Sequence, residues 1–180
     1  CRERDGSCVI TRNPDFTESV NVYPHRLEED DREWERTMLW DILGMFWTGP
    51  RVAFWRQAAL GCGCTNEAGN TILLHSDVSD AWANLGFALK PLEMSQDCRS
   101  LTVQFYWLPG EVGPHSAPLT SAPAFGQIDT ARFTFNNSRT NSLMRSGDIV
   151  VLRTKDPRNL PLPSFQLLEM QWYLHRAAVL

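Results

Sequence analysis

The chain has 180 residues, enough for one domain with a true core and short for two. Hydrophobic residues make up 43%, with seven Trp and nine Phe, which excludes a disordered chain. Seventeen Lys and Arg stand against 21 Asp and Glu for a formal charge of −4, so the whole-chain charge does not favour sequence-independent binding to nucleic-acid phosphates.

Arg4-Asp5-Gly6-Ser7 has turn chemistry, and Cys8-Val9-Ile10-Thr11 reads as a short strand. Arg12-Asn13-Pro14-Asp15 is a second turn, because Asn-Pro breaks regular structure. Ser19 to Tyr23 alternates polar and apolar side chains and Pro24 ends it, which predicts a strand pairing back on the first, with Asn21 near its end. The acidic run Glu28 to Asp31 then leads an amphipathic helix carrying Trp34, Met38, Leu39, Ile42, Leu43 and Phe46. Negative charge in a first turn complements the helix dipole, so the run is read as a solvated helix start rather than a metal site. Gly49-Pro50 stops this helix and starts another through Leu60, with Val52, Trp55 and Ala59 facing inward and Gly61 as its cap.

From Gly69 to Pro91 the pattern changes to a glycine turn, an apolar strand from Thr71 to Leu74, a polar corner, one or two helical turns and a return strand from Phe87 to Leu89. Leu101 to Leu108 alternates as a strand, and residues 109–128 are rich in Pro, Gly, Ser and Ala, as in a long surface loop. Ala131 to Phe135 and Asp148 to Thr154 are further strands, and Pro161-Leu162-Pro163-Ser164 launches a helix through Leu180 with Phe165, Leu168 and Trp172 on its apolar stripe.

Five cysteines is an odd count, and Cys62-Gly63-Cys64 is too close for a zinc knuckle and has no second CxxC to complete it. Free thiols in a reducing compartment are the expectation. Apolar runs fall short of the ~18 residues that span a bilayer, and no signal peptide is visible. The chain opens at Cys1 without Met and is read as a fragment. The expected setting is therefore intracellular, in cytoplasm or nucleus, with no membrane. In that setting the Asn136-Asn137-Ser138 sequon is incidental.

Several stretches together resemble the large fungal family of HNH-nuclease-domain proteins. Arg4-Asp5-Gly6 with Cys8 and Thr11 resembles an opening RDGxxCxxT segment, and Val22-Tyr23-Pro24 the end of HIYP. Asn70, Leu74, Asp77, Trp82 and Phe87-Ala88-Leu89-Lys90-Pro91 follow N-x-x-x-L-x-x-D-x-H-x-x-W and then FALKP. Ser146-Gly147-Asp148, Thr154, Asp156-Pro157, Pro161 to Ser164 and Leu167-Leu168-x-Met170-Gln171-Trp172 resemble the C-terminal segment. Singly these pieces are weak; their order and spacing make the likeness specific, and it covers nearly the whole chain. The fold implied is α+β, a ββα-metal (HNH-like) finger braced by C-terminal β-strands and a C-terminal helix. It makes one domain of residues 1–180: hairpin 1–27, helical insertion 28–68, strand–helix corner 69–91, and C-terminal strands and helix 92–180.

In such nucleases the resemblance implies a divalent ion on the scissile phosphate, a first His as general base, a middle Asn that orients it and a last His that ligates metal. The middle Asn is present as Asn70, but the first His falls on Asn21 and the last on Ser79. A neutral amide cannot accept a proton at useful pH, and a hydroxyl is a poor ligand beside imidazole for a borderline metal. The expectation is an HNH-like protein with a degenerate centre, lacking metal-dependent DNA cleavage and needing no cofactor.

Neighbouring residues keep two alternatives open. His75, Asp77 and Tyr23 could perform metal-free acid–base work, a cyclisation, condensation or isomerisation on a small molecule in secondary metabolism. Alternatively His25 or His75 could serve as base, with Asp77 as ligand, in a residual endonuclease using Mg or Zn. His75 as a solvated loop residue and Asp77 as a helix-start residue is the plainer reading of both. The candidate site residues are thus Asn21, Tyr23, His25, Asn70, His75, Asp77 and Ser79, with a small molecule or a nucleic acid as partner. His115 and His175 are read as structural or solvated, and Trp82, Phe87 and Trp172 as core.

Overall fold

The computed structural model describes residues 1–24, 33–61, 68–109 and 133–179. His25, the acidic run 28–31, Cys62, Cys64, His115 and most of the Pro-rich loop lie outside the described residues.

The fold is mixed α+β with antiparallel sheets and a C-terminal helix. Helix α1, Arg2–Asp5, is a single turn that ends on Gly6 at φ 64, a left-handed conformation that glycine adopts without a Cβ penalty. Strand β1, Thr17–Asn21, pairs antiparallel with β2, Thr71–His75, and helix α4, Ser76–Ala83, follows β2 directly. The chain therefore runs strand, strand, helix, with a long excursion between the two strands. Ile72, Leu73 and Leu74 are fully buried, as expected of a strand covered on both faces. Val78, Ala81 and Trp82 recur at helical spacing and turn one side of α4 into the same core. After α4, Gly86 donates its N–H to the Ala81 carbonyl at 2.7 Å, and a Cβ there would come within 2.7 Å of the Phe133 ring. A side chain at this turn would have to displace the Phe133 ring.

The expected opening hairpin does not form. Cys8 to Thr11 is a turn, closed by Arg12 N–H to the Cys8 carbonyl at 2.9 Å, and Val9 donates to the Leu73 carbonyl at 2.9 Å. Its buried Cys8, Val9 and Ile10 produce the apolar run that reads as a strand. The true partner of β1 lies beyond the insertion, because alternation sets which side chains share a face and says nothing about which strand is adjacent.

The excursion carries α2, Glu33–Phe46, and α3, Gly49–Leu60. In α3 the expected inner face holds, with Trp55 and Ala59 fully buried. Trp55 donates Nε1–H to Glu169 Oε2 at 2.8 Å and meets Trp47 and Tyr173 at ring distances of 5.5 and 5.9 Å. In α2 the inner face matches the expected one only in part, through Leu39 and Leu43. Trp40 and Leu43 are buried, whereas Trp34, Met38, Met45 and Phe46 are 54–78% exposed. Apolar residues occur nearly all round this helix, so their spacing cannot choose the face that packs.

Strands β3, Phe87–Met94, β4, Ser100–Trp107, and β7, Ile149–Arg153, form an antiparallel sheet in the order β3-β4-β7. The return strand expected to close the corner thus starts a second sheet and pairs with β4, Phe87 lying opposite Trp107. In β4, Leu101, Val103, Phe105 and Trp107 are buried and the residues between them are not, the alternation read from the sequence. A strand over 131–135 is not seen in its described part, where Phe133 to Phe135 runs without regular structure and Phe135 packs at ring distances of 5.1 Å from Trp107 and 6.3 Å from Phe87. A small ribbon of β5, Asn136–Asn137, and β6, Ser142–Leu143, follows it.

Helix α5, Phe165–Ala178, is capped by Ser164, whose hydroxyl accepts from Leu167 N–H at 3.3 Å, so the prolines precede the helix rather than occupy its first turn. It packs along β3, with Trp82, Phe87 and Trp172 in the core as expected. His175 is 6% exposed, against the Trp82 ring at 4.6 Å and in hydrogen-bond contact with the Phe87 carbonyl at 3.2 Å. Burial lowers its pKa from 6.5 to about 4, only partly offset by that hydrogen bond. The unfolded chain then binds a proton at His175 near pH 6.5 while the folded chain resists it until about 4. Stability from this group is fully present above pH 6.5 and is lost as pH falls toward 4, by about 3 kcal/mol in all. Urea titrations across that window should show the loss, and His175→Gln, which keeps a donor for the carbonyl, should flatten it.

Candidate functional site

Asn70 ends a short 3-10 turn, Ala68–Asn70, at the entry to β2, and it is fully buried. Its side-chain Oδ1 accepts from Tyr23 N–H at 2.7 Å and its Nδ2 donates to the Tyr23 carbonyl at 3.0 Å. Its own carbonyl accepts from Val22 N–H at 2.7 Å. One residue thus holds the chain where it leaves β1, immediately after Asn21. Asn21 is half-buried opposite Thr71, and Tyr23 is 1% exposed and stacked on Trp40 at 6.4 Å. Ser164 N–H to the Gly69 carbonyl, at 2.7 Å, ties the start of α5 to the same end of the ribbon.

His75 and Asp77 sit at the other end. His75 lies opposite Thr17, four register positions from the Asn21–Thr71 pair, which at the rise of a strand is ~13 Å. The His75 ring caps α4: Nδ1 accepts from Asp77 N–H at 3.3 Å and lies 3.7 Å from Asp77 Oδ2. That bond needs a neutral ring with its proton on Nε2; a ring protonated on Nδ1 would exchange the cap for an ion pair. The side chain of Asp77 is 77% exposed, and Ser79 is half-buried one turn into the helix.

The structure therefore brings Asn70 to Tyr23 beside Asn21, and His75 to Asp77, and sets the two groups apart. It does not gather His75, Asp77, Tyr23 and Asn21 around one cleft. Three cavities among the described residues, one along α2, one beside β7 and one between α3 and the start of α5, take no wall from Asn21, Tyr23, Asn70, His75, Asp77 or Ser79.

The divalent ion implied by the resemblance does not fit the residues present. Asn21 and Ser79 offer neutral oxygens, and both ends of the Asn70 amide are engaged with Tyr23. Among the described residues no three His, Cys, Asp or Glu side chains are grouped to hold a metal.

Two arginines that read as turn residues have larger parts. The Arg4 guanidinium is enclosed, paired with Asp5 at 2.6 Å, and donates to the carbonyls of Ala68 at 2.5 Å, Pro161 at 2.6 Å and Thr71 at 2.7 Å. Asp5 in turn accepts from Leu73 N–H at 3.1 Å. Arg12 is brought beside Arg139 and Arg153, an arrangement that nothing in the linear sequence signals.

No family model matches the chain, and no curated protein or solved structure matches it. Among the described residues no helix is long and apolar enough to cross a membrane.

Proposed function

We propose that this chain is an HNH-nuclease-like protein whose ββα-metal centre is degenerate, a binding version of that fold without metal-dependent DNA cleavage. The observation that carries the reading is the grip of Asn70 on the Tyr23 backbone next to Asn21. The element that would present a general base is held in place, while the side chain it presents cannot take a proton. Strand, strand and helix follow in the order the resemblance implies, with Asn70 entering the second strand and Ser79 on the helix.

The acid–base enzyme reading has less support, because Tyr23 and His75 lie at opposite ends of the ribbon and the His75 ring is occupied as a cap. The residual nuclease reading keeps His75 and Asp77 as a pair, but without a second imidazole among the described residues beside them.

Two measurements test the proposal. Supercoiled plasmid with Mg²⁺, Mn²⁺ or Zn²⁺ should stay intact; EDTA-sensitive nicking by the purified chain would overturn it. Asn21→His together with Ser79→His should create a Zn²⁺ or Co²⁺ site, seen by calorimetry or cobalt absorption, that the parent and the single variants lack. A double variant that folds like the parent yet takes no metal would remove the correspondence of Asn21 and Ser79 with the two histidines.

A further inference from the structure

Beside β7 lies a cleft of about 1250 Å³, walled by α1, the turn at Arg12, the β3–β4 connection, β7 and the segment that follows it. Arg12, Arg99, Arg139, Arg153 and Lys155 all reach this cleft, although the chain as a whole carries a charge of −4. The Arg12 backbone is left-handed at φ 61, a conformation unfavourable for a residue with a Cβ. Its half-buried guanidinium is fixed by donating Nη2–H to the Val151 carbonyl at 2.9 Å. The Val151 carbonyl lies in the plane of the sheet, so the anchor sets Arg12 beside β7, and Arg12, Val151 and Arg153 line the same cleft. Burial first, then the like charges of Arg139 and Arg153, lower the pKa of Arg12 against the opposing effect of Cys8 and Asp5. Arg139 and Arg153 thus both repel Arg12 across the cleft that all three line.

The carboxylates of the cleft do not relieve this. Asp5 is committed to Arg4 and to Leu73 N–H. Asp97 closes its own turn with Ser95 and lies 3.9 Å from Arg99, and Asp156 holds Asn159 Nδ2 at 2.6 Å. Among the described residues no carboxylate pairs with Arg12, Arg139 or Arg153. Strained backbone and clustered like charge each disfavour the free protein, and an anion with several acceptor oxygens would relieve the second of them.

We propose that this cleft binds a small phosphorylated molecule, its phosphate oxygens held by Arg12, Arg139 and Arg153. Guanidinium forks match phosphate oxygens bidentately, and the cleft is large enough for a phosphate together with the group that bears it. A nucleic-acid strand suits it less well. Glu3, Asp97 and Asp156 stand on the same walls, so cationic side chains do not continue as a track for successive phosphates. Neither Asn21 nor Asn70 lines the cleft, and the proposal does not rest on the HNH reading.

Calorimetric titration with inorganic pyrophosphate, at ionic strength held constant with chloride, tests the assignment. Saturable binding is expected, weakened roughly tenfold or more in the Arg139→Gln/Arg153→Gln variant, with Arg12→Gln weaker still. The Arg139 and Arg153 side chains are exposed and make no hydrogen bond or ion pair among the described residues, so their double variant should unfold at or above the parent's temperature and isolate binding from folding. The assignment is overturned by absence of saturable binding at millimolar pyrophosphate, or by equal binding in the parent and the double variant. Citrate binding where pyrophosphate does not would replace phosphate with carboxylate chemistry. A short DNA duplex bound through the same arginines, and not displaced by pyrophosphate, would replace the small molecule with nucleic acid.

Discussion

Arg4→Ala is expected to destabilise the fold by about 3–5 kcal/mol, the cost of breaking a buried charge pair from one side. The substitution leaves the Asp5 carboxylate enclosed without its cation, and three carbonyls, those of Ala68, Thr71 and Pro161, without a donor. A domain of this size has a total stability on the order of 5–15 kcal/mol, so the loss is a large share of it. Urea unfolding should show the midpoint falling by on the order of 1–2 M, with the slope little changed. Arg4→Lys keeps the charge but replaces the planar fork with a single ammonium, which cannot reach Asp5 and three carbonyls that diverge from one another. It should therefore recover less than half of the loss. Recovery of most of it by lysine would mean that charge, rather than the fork, is what the site requires.

The second large effect falls on Asn70. Asn70→Ala removes both hydrogen bonds to Tyr23 and strands a buried N–H and a buried carbonyl, at about 1–3 kcal/mol each. A total loss of roughly 2–5 kcal/mol is expected by chemical denaturation. Asn70→Asp separates the two contacts: one carboxylate oxygen still accepts from Tyr23 N–H, while the other faces the Tyr23 carbonyl at the position where Nδ2 donated. Asp should consequently be no better than Ala. A variant with Asp as stable as the parent would contradict the two-point grip.

How far these features can be read from the sequence varies with the range over which they act. The strand–corner–helix unit is legible, because its signals are local: an apolar run over Ile72 to Leu74, then Val78, Ala81 and Trp82 at helical spacing. Strand β4 is legible for the same reason. What pairs with β1 is not, since its partner is chosen by the packing of α4 and the core after the insertion has been spanned. The exposed side of α2 is also hidden, because Trp34 and Met38 look as apolar as Trp40 and Leu43. At the site, Asn70 can be singled out by its motif position, but its grip on a backbone cannot be deduced from residue type. Separation of His75 from Asn21 follows only from strand register. Arg12, Arg139 and Arg153 are masked by the net charge, a sum that carries no information about where charges gather.

The reach of Arg4 has a consequence for the order of folding. During synthesis the N-terminal turn emerges early, yet its guanidinium finds a full set of acceptors only when Pro161 has also left the ribosome. Strand β1 likewise waits for β2 across the whole insertion. Helices α2 and α3 can form early from local contacts, but the contacts that lock the fold join α1 to the segment before α5 and β1 to β2. Chains dominated by such distant contacts close slowly, in milliseconds to seconds, because the entropy of the long loop is lost before the contacts repay it. The nascent chain should therefore stay protease-sensitive until Pro161 has emerged and then gain protection in one cooperative step.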